Sequence, residues 1–477
     1  MFTRTFLRQR TSENRIALVV ILLYSFCCGS VVAQQNVETW LHAQIPMSCG
    51  KLPMTMRFDA MQRPYLYVAQ KSEGLTIYDL TDSSNYVRVA QIRANDLGGS
   101  ATSMEQRGTM LYIAVGDIFI KNQVPGVAAV DVSDPLKPVV MWKKFDSRGV
   151  QGAGGIAVDD SNVYLAAMGS GLIIWPLPDQ ANEVHTLFLP ERSFPEVNPD
   201  TNKYNVRGVV VREGIAYVAF DAGGLRMIDV SDPQHPFEIG RYSNPSFNGR
   251  PRAYNNVALI GNLVFVTVDY CGLEILDVSN PSNIVQVGWW NPWECPNNNW
   301  FTSTGHTNEI VVDSACGVAL MSTGRSDMYA VDISNPQAPV TVGTYGNTTD
   351  TSGTWGITRQ GNKIALSYIC TLGIPFASTW AGVKVLGYSS NCIALVGEET
   401  SKADIYPSPF TNSITIHPQH QTMYIVHVVD MLGSVIITTS AMQGDQTIDL
   451  SKQPIGCYNV ILLGNRWKRM QKVMKWY

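Results

Sequence analysis

Residues 215–233 have the sequence IAYVAFDAGGLRMIDVSDP, and this stretch contains the pattern that organises most of the chain. Its first five residues are β-branched, aromatic or small, and Leu225 to Asp229 form a second short run after a pair of glycines. Branched and aromatic residues favour strands, whereas Gly, Asp, Ser and Pro favour turns. The stretch therefore predicts two antiparallel strands joined by a tight turn and followed by an Asp-containing turn.

This pattern recurs at intervals near 50 residues, which is typical of a propeller blade. The positions equivalent to Asp229 are Asp79, Asp131, Pro176, Asp277, Asp332 and Gly387. With Asp229 included, the successive intervals are 52, 45, 53, 48, 55 and 55 residues. A further strand-like run stands on either side of each copy, so each unit supplies about four strands. The seven units predict an all-β fold with a seven-bladed β-propeller, because radial closure protects strand edges.

The predicted propeller spans residues 34–392 and uses both of its chain ends to close. Residues 38–45 resemble the last strand of a unit, but they precede the first complete unit. We therefore interpret residues 34–50 as a possible closing strand for the seventh blade.

The repeated aspartates allow two interpretations, a calcium site or a series of turns. Asp79, Asp131, Asp229, Asp277 and Asp332 belong to different blades, so they cannot converge on one ion. Asp and Ser side chains bond nearby backbone N–H groups in turns, and Pro fixes the exit of the chain. We favour turns, and we expect no metal site and no cofactor.

These repeats resemble the LVIVD family of bacterial and archaeal surface proteins, whose strand motif is Gly-Leu-x-Ile-x-Asp-Val-Ser-x-Pro. The resemblance covers residues 51–392, with departures at Pro176 and Gly387 in the third and seventh copies. It implies a β-propeller at the cell surface, without a defined chemistry.

After a short linker at residues 393–403, residues 404–477 show alternating polarity interrupted by turn residues. This pattern predicts a small C-terminal antiparallel β-sandwich. The segment contains Tyr-Pro-x-Pro-Phe, then Asp-x-x-Gly, then Gly-x-Tyr. The residues of these motifs are Tyr406, Pro407, Pro409, Phe410, Asp430, Gly433, Gly456 and Tyr458.

The three motifs resemble the C-terminal sorting domain of the type IX secretion system, with Ser408 at a position where Asn is commonest. The resemblance implies recognition by an outer-membrane translocon. It also implies processing by a surface sortase, after which the protein is attached or released. The expected location is therefore the cell surface or the extracellular space.

The N-terminal segment has the features of a secretory signal peptide. Four arginines precede an apolar run at residues 16–28, and small residues lead to Ala33. We expect cleavage after Ala33, which assigns residues 1–33 to the signal peptide. The run is too short to span a bilayer core that needs about 20 residues, so no transmembrane segment is expected in the mature chain.

Charge and motif content exclude several classes of function. The 477 residues include 35 Lys and Arg against 39 Asp and Glu, so no basic surface for nucleic acid is expected. No nucleophile elbow, zinc-binding His pair, P-loop or dinucleotide motif occurs in the sequence. The cysteines form no C-x-x-C pair, and the seven His are scattered.

The propeller geometry predicts a ligand-binding face. The loops that lead into the first strand of each blade surround one end of the channel, where aromatic, cationic and amide groups suit a polar ligand or a peptide. The candidate residues in these loops are Arg207, Arg252, Tyr254, His306, Asn308 and Trp355. A nearby group of tryptophans allows two alternatives, an exposed recognition patch or packing between blades. Its members are Trp289, Trp290, Trp293 and Trp300.

Six propeller cysteines allow 15 pairings, and an exported protein favours disulfides. Assigning each cysteine to one face of the propeller predicts Cys49–Cys370, Cys271–Cys295 and Cys316–Cys392. Cys457 in the tail keeps its thiol in this assignment.

The function predicted from the sequence is a non-enzymatic binding module, exported through its C-terminal domain and directed at an extracellular protein or glycan. The alternative is an extracellular propeller hydrolase that acts on a glycan or lactone. The carboxylate pair of such an enzyme is defined in space and leaves no fixed sequence spacing.

Overall fold

The computed structural model describes most of the chain between residues 36 and 476. The described ranges are 36–49, 51–83, 85–120, 123–177, 186–190, 204–247, 253–347, 352–370, 378–390, 403–418, 424–429, 435–439, 442–464 and 467–476. The expected signal peptide, the expected linker up to residue 402, and Arg252, Cys392, Asp430 and Gly433 lie outside these ranges.

Seven four-stranded antiparallel sheets form the unit of residues 36–391. The first blade contains β2 Met56–Phe58, β3 Tyr65–Ala69, β4 Leu75–Asp79 and β5 Val87–Ile92. The second contains β6 Ala101–Arg107, β7 Met110–Val115, β8 Gly126–Asp131 and β9 Val139–Phe145. The third contains β10 Gly155–Val158, β11 Asn162–Ala166, β12 Leu172–Pro176 and β13 Thr186–Phe188. The fourth contains β14 Gly208–Arg212, β15 Ile215–Ala219, β16 Leu225–Asp229 and β17 Phe237–Tyr242.

The remaining blades follow the same order. The fifth contains β18 Tyr254–Ile260, β19 Leu263–Val268, β20 Leu273–Asp277 and β21 Val285–Trp290. The sixth contains β22 Ile310–Asp313, β23 Val318–Ser322, β24 Met328–Asp332 and β25 Val340–Tyr345. The seventh contains β26 Thr354–Gln360, β27 Lys363–Tyr368, β28 Ala381–Ser390 and β1 Val37–Met47. Short helices occur at Ala94–Leu97, Pro245–Phe247, Cys295–Asn297 and Gly324–Ser326.

The seventh blade takes its outermost strand from the beginning of the described chain. Strand β1 pairs with β28 along ten positions, from Val37 opposite Ser390 to Met47 opposite Ala381. The sheet therefore has the order β1-β28-β27-β26, which is the closure that the sequence predicts.

Each blade packs against the next through its own buried apolar cluster. One cluster lies at each of the seven junctions, including the junction between the seventh and first blades. Hydroxyl groups also cross the junctions to backbone carbonyls. Ser367 Oγ donates to the Met54 carbonyl at 2.5 Å across the closure, and Ser322 Oγ donates to the Trp355 carbonyl at 2.6 Å. Apolar burial and these hydrogen bonds together hold the ring closed.

The repeated aspartates form turns, as the sequence predicts. The Oδ1 atom of Asp131 accepts the backbone N–H of Ser133 at 2.7 Å, and Asp229 accepts that of Ser231 at 2.9 Å. Asp277 and Asp332 make the equivalent bond two residues on, and Asp79 does so with Thr81. These carboxylates therefore satisfy local N–H groups in their own blades.

The C-terminal unit is a two-layered antiparallel fold. One sheet contains β29 Ala403–Tyr406, β30 Ser413–Pro418 and β33 Gln446–Asp449. The other contains β31 Tyr424–Val429, β32 Val435–Thr438, β34 Gly456–Gly464 and β35 Trp467–Lys475. Side chains from both sheets form a single buried cluster, in which Ile414 and Ile416 meet Val426 and Val460. This is the small sandwich that the alternating pattern predicts.

Two disulfides join loops of the propeller. Cys49 pairs with Cys370, with Cα atoms 5.1 Å apart, and Cys271 pairs with Cys295, with Cα atoms 4.8 Å apart. Both pairs are among the three that the face assignment predicts. The third involves Cys392, which lies outside the described residues. Cys457 keeps its thiol and is partly buried.

Candidate functional site

The antiparallel order of the strands gives the propeller two different faces. We call the loop face the one formed by the connections between blades and by the turns between each second and third strand. The opposite, hairpin face holds the turns after each first strand and the Asp-containing turns. Both described disulfides join segments of the loop face. Its loops are therefore braced covalently.

A turn with a positive φ angle recurs on the loop face. Lys71, Met168, Asp221 and Asp269 follow the second strands of blades one, three, four and five, with φ of 42°, 50°, 46° and 30°. Each makes a backbone bridge to the next blade, to Ala101, Val206, Tyr254 and Thr307 respectively. Positive φ is uncommon outside glycine, so the bridge to the neighbouring blade holds each residue in this conformation.

Asp221 is the more buried of the two aspartates at this turn position. Its Oδ2 atom accepts Asn205 Nδ2 at 2.7 Å and lies 3.2 Å from Arg207 Nε. Burial raises the pKa of Asp221, while Arg207 and Asn205 act in the opposite direction. The charge of Asp269 adds to the rise, so carboxylates from two neighbouring blades interact at this end of the channel.

Asp269 holds the next loop in place. Its Oδ1 atom lies 2.5 Å from His306 Nδ1, and its Oδ2 atom accepts the Trp300 indole N–H at 2.8 Å. The carboxylate can only accept, so His306 Nδ1 carries the proton in this bond. The His306 side chain is fully buried. The Asp–His pair therefore fixes the connection between blades five and six.

The described residues among those proposed from the sequence occupy two environments, buried and half-buried. Tyr254 is fully buried and donates its hydroxyl to Glu274 Oε2 at 2.8 Å. Asn308 is also buried and donates to the Thr354 carbonyl of the next blade at 3.0 Å. Arg207 and Trp355 are half-buried at the loop face. His306 belongs with the buried group, and Arg252 lies outside the described residues.

The tryptophans near blade five pack between blades. The Trp290 ring lies 5.5 Å from that of Trp293 and 5.1 Å from that of Tyr329 in the next blade. The Trp289 indole N–H donates a hydrogen bond to the Cys271 carbonyl at 2.8 Å. Of the two alternatives, packing is the one observed for these three residues. Trp300 remains half-buried beside the exposed Phe301.

An apolar patch surrounds the loop between β7 and β8. Phe119 and Ile120 expose 55% and 53% of their surface, and Val124 and Val150 are similarly exposed. The Phe119 ring lies 5.5 Å from the Trp355 ring, and Lys71 Nζ lies 4.9 Å above it. Lys71 is itself paired with Asp117 at 2.8 Å. The patch therefore combines exposed apolar side chains with a charged lysine, and its Phe119 ring is held by contacts with Trp355 and Lys71.

Beneath the loop face lies the central channel, with a volume of about 470 Å³. Glu105 and Glu309 are the acidic residues along its first strands. Within the described part of the chain, no group of three or more His, Cys, Asp or Glu could hold a metal ion. In the same residues, no helix is long and apolar enough to cross a bilayer.

Several residues of this face escaped the sequence analysis. Asp221 and Asp269 stand at the same position of their blades, four residues before the Leu that opens the third strand. Aligning that position across the repeats would have revealed them. The Phe119 patch has no equivalent in the other copies, so the repeat pattern carried no signal for it.

In the C-terminal unit, the predicted sorting residues divide between core and surface. Phe410 is buried and pairs with the last strand, donating its N–H to the Met474 carbonyl at 2.8 Å. The Tyr458 ring lies 6.5 Å from the Phe410 ring, beside the partly buried Gly456. Tyr406, Pro407 and Pro409 are exposed. Asp430 and Gly433 lie outside the described residues.

Comparison with known proteins gives two family matches. The LVIVD repeat matches residues 63–91, 205–244, 251–291 and 324–347. The secretion system C-terminal sorting domain matches residues 404–475. A comparison with curated proteins finds no match.

Solved structures similar to this chain are WD40-type β-propellers. The WD40 repeats of RRP9 have a TM-score of 0.53 at 8% identity, covering 74% of this chain and 98% of that chain. The Cps50 (Swd1) β-propeller of Myceliophteria thermophila has a TM-score of 0.52 at 12% identity, covering 73% and 99%. These likenesses concern the fold alone. The chain thus joins an LVIVD-repeat β-propeller to a secretion system C-terminal sorting domain, which indicates export by type IX secretion to the cell surface or extracellular space.

Proposed function

We propose that the exported propeller is a binding module that recognises an extracellular protein through its loop face. The observation that carries this proposal is the apolar patch of Phe119, Ile120, Val124 and Val150. Phe119, Ile120 and Val124 belong to one loop, and several exposed apolar side chains in one region of an exported protein favour an interaction surface, because leaving them in water is unfavourable. Aliphatic residues dominate the patch, which favours a protein surface over a glycan.

The rigidity of the loop face supports the same function. Disulfides brace the segments at Cys49–Cys370 and Cys271–Cys295, and the Asp269 contacts fix the loop that follows blade five. A surface that is ordered before association loses less conformational entropy when it binds. Arg207, with 31% of its side chain exposed, adds a charged group at the channel end.

The hydrolase alternative would use the carboxylates of Asp221 and Asp269. Asp221 has 3% of its side chain exposed and is held by Arg207 and Asn205. Asp269 is 15% exposed and holds His306 and Trp300. These contacts support a structural role for both carboxylates, which makes this pair a poor candidate for hydrolysis. Assays of the exported protein with glycan and lactone substrates test the alternative directly.

Site-specific photocrosslinking on the living cell surface tests the proposed face. A crosslinking side chain is placed at Phe119, and the matched control is placed at Leu136 on the hairpin face, which is 54% exposed. We expect a discrete crosslinked protein from position 119 and none from position 136. Equal crosslinking from both positions, or none from position 119, would contradict the proposal.

A further inference from the structure

The central channel has a divided lining. The first, second and seventh blades contribute the polar groups, the third and fourth blades contribute aliphatic groups, and the fifth and sixth blades contribute both. The polar residues are Arg57, Ser103, Glu105, Asn256, Glu309, Thr358 and Arg359. The aliphatic residues are Ala157, Val158, Val210, Val211, Ala258 and Val311. A volume of about 470 Å³ lies within the range of small-molecule sites, which combine apolar walls with a few convergent polar groups.

The charges along the channel are unequally paired. Arg57 Nη2 lies 3.4 Å from Glu105 Oε2, and Arg359 Nη2 lies 2.6 Å from Asp313 Oδ2. Glu309 accepts one hydrogen bond, from the Ile357 backbone N–H at 3.2 Å. Among the described residues, no cation lies within ion-pair distance of Glu309. Glu309 thus makes no ion pair at contact distance, and the nearby Arg57, which acts on it electrostatically, is paired with Glu105.

Burial makes the charged form of the Glu309 carboxyl group unfavourable. It raises the pKa of Glu309 to about 7, while Arg57 and the Ile357 N–H act in the opposite direction. A carboxylate withdrawn from water is stabilised in its charged form by a nearby cation. Glu309 would therefore gain from a cation that enters the channel.

A small apolar cluster lies at the loop face of the propeller. Met54, Ile118, Met168 and Ile369 come from four neighbouring blades and form one buried cluster there. Each exposes less than a tenth of its surface. The cluster lies in the loop-face segments of the seventh, first, second and third blades.

We propose that the channel binds a small primary ammonium compound with an apolar chain. Its ammonium group pairs with Glu309, and its chain lies along the aliphatic wall. A divalent metal ion would need six or more oxygen ligands, whereas a primary ammonium is satisfied by a few acceptors. The inference does not depend on the proposed function, because it concerns the channel rather than the outer patch.

Calorimetric titration of the exported protein with hexylammonium tests the proposal, with hexanol and hexanoate as probes of the same length. We expect hexylammonium to bind more tightly than either probe. Glu309→Gln should weaken its binding at least about tenfold, the effect of losing a charge-assisted hydrogen bond. The control Glu213→Gln changes an exposed carboxylate at the hairpin face and should leave binding unchanged.

The pH dependence provides an independent readout. Affinity of the unaltered protein for hexylammonium should rise between pH 6 and pH 8, as Glu309 ionises with its pKa of about 7. In Glu309→Gln the same profile should be flat. The other charged groups at the channel are Arg57 with its partner Glu105 and Arg359 with its partner Asp313. Absence of hexylammonium binding, equal binding of hexanoate, or an unchanged affinity in Glu309→Gln would overturn the proposal.

Discussion

Two carboxyl groups of the propeller are buried in different ways. Burial raises the pKa of both Asp221 and Glu309, but Asp221 has Arg207 and Asn205 as partners. Glu309 has one backbone N–H as its hydrogen-bond donor and reaches a pKa of about 7. The pKa of Glu309 therefore lies within the physiological pH range, so its charge changes where the protein works.

Replacing Glu309 by Gln should stabilise the protein at high pH. Its pKa is higher in the folded state, about 7 against 4.5, so the folded protein holds the extra proton and stability falls as the pH rises between these values. Above pH 8, Glu309→Gln should raise the free energy of unfolding by about 1–2 kcal/mol, reduced from the full value because the side chain is partly exposed. Below pH 4.5 the difference should vanish. Urea unfolding of both proteins at pH 4 and pH 8 measures this difference in the free energy of unfolding. An equal gain in stability at the two pH values would contradict the raised pKa of Glu309.

In the C-terminal unit, one ammonium group holds a turn through three bonds. Lys475 Nζ donates to the carbonyls of Leu450, Ser451 and Gln453 at 2.9, 2.7 and 2.8 Å. Lys475→Met leaves three acceptors without this donor and should cost about 3 kcal/mol. Hydrogen exchange of strand β35 in the full chain measures the loss. Lys472→Met, an exposed position of the same strand, is the control and should change exchange little.

At the residue scale, the sequence predicted roles better for turns than for binding loops. The Asp in each Asp-Val-Ser-x-Pro turn acts within two residues of itself, so its bond could be inferred from local chemistry. Tyr254 and Asn308 stand in the predicted loops, but they are buried by partners 20 and 46 positions away. The Tyr254 partner lies on another strand of the same blade and the Asn308 partner lies in the next blade, so tertiary packing sets both contacts.

At the scale of elements, strand β1 joins the two ends of the propeller. It pairs with β28 along ten positions and buries Val37 and Ile45 against neighbouring blades. Deleting residues 36–48 should lower the melting temperature of the propeller by several degrees, because the seventh blade loses its outer strand. The deletion keeps Cys49 and therefore its disulfide. The control Leu41→Ser changes an exposed side chain of the same strand. Its melting temperature should lie near that of the unaltered protein. An unchanged melting curve for the deletion would contradict the role of β1.

The disulfide Cys49–Cys370 reinforces the same closure through the covalent chain. It links residues 321 positions apart, so it restricts the unfolded chain strongly. In the chain-entropy model, the double variant Cys49→Ser and Cys370→Ser should lose on the order of 6 kcal/mol. Denaturant unfolding with and without reductant measures this loss. Reductant should lower the stability of the double variant less than that of the unaltered protein, and an equal effect on both would show that this bridge contributes little.

The arrangement of the blade strands could be predicted from the sequence because one strand pattern repeats along the chain. Seven copies of one strand pattern define the blade, and the unassigned strand at residues 38–45 has one vacant position to fill. The loop between β7 and β8, which carries Phe119, occurs once. Its conformation depends on contacts with Trp355 and Lys71 from other blades, so no periodicity pointed to it.

In the whole molecule, the domain that directs export and the propeller belong to two different units. The propeller unit spans residues 36–391 and contains its own seven interblade clusters, while the C-terminal unit has its own core around Ile414 and Val460. The sorting domain match falls within the second unit, at residues 404–475. Removing it should therefore leave the interior of the propeller intact.

Deleting residues 404–477 should produce a folded propeller that stays in the periplasm, because export depends on a domain that supplies none of the blade strands. Cell fractionation locates the truncated protein, and its melting temperature compared with that of the full chain reports folding. Phe410→Asp is a milder test, since it disrupts the core of the sorting domain without shortening the chain. We expect both variants to be lost from the surface while the disulfides of the propeller still form. Surface display of the truncated chain would show that the propeller itself carries an export signal.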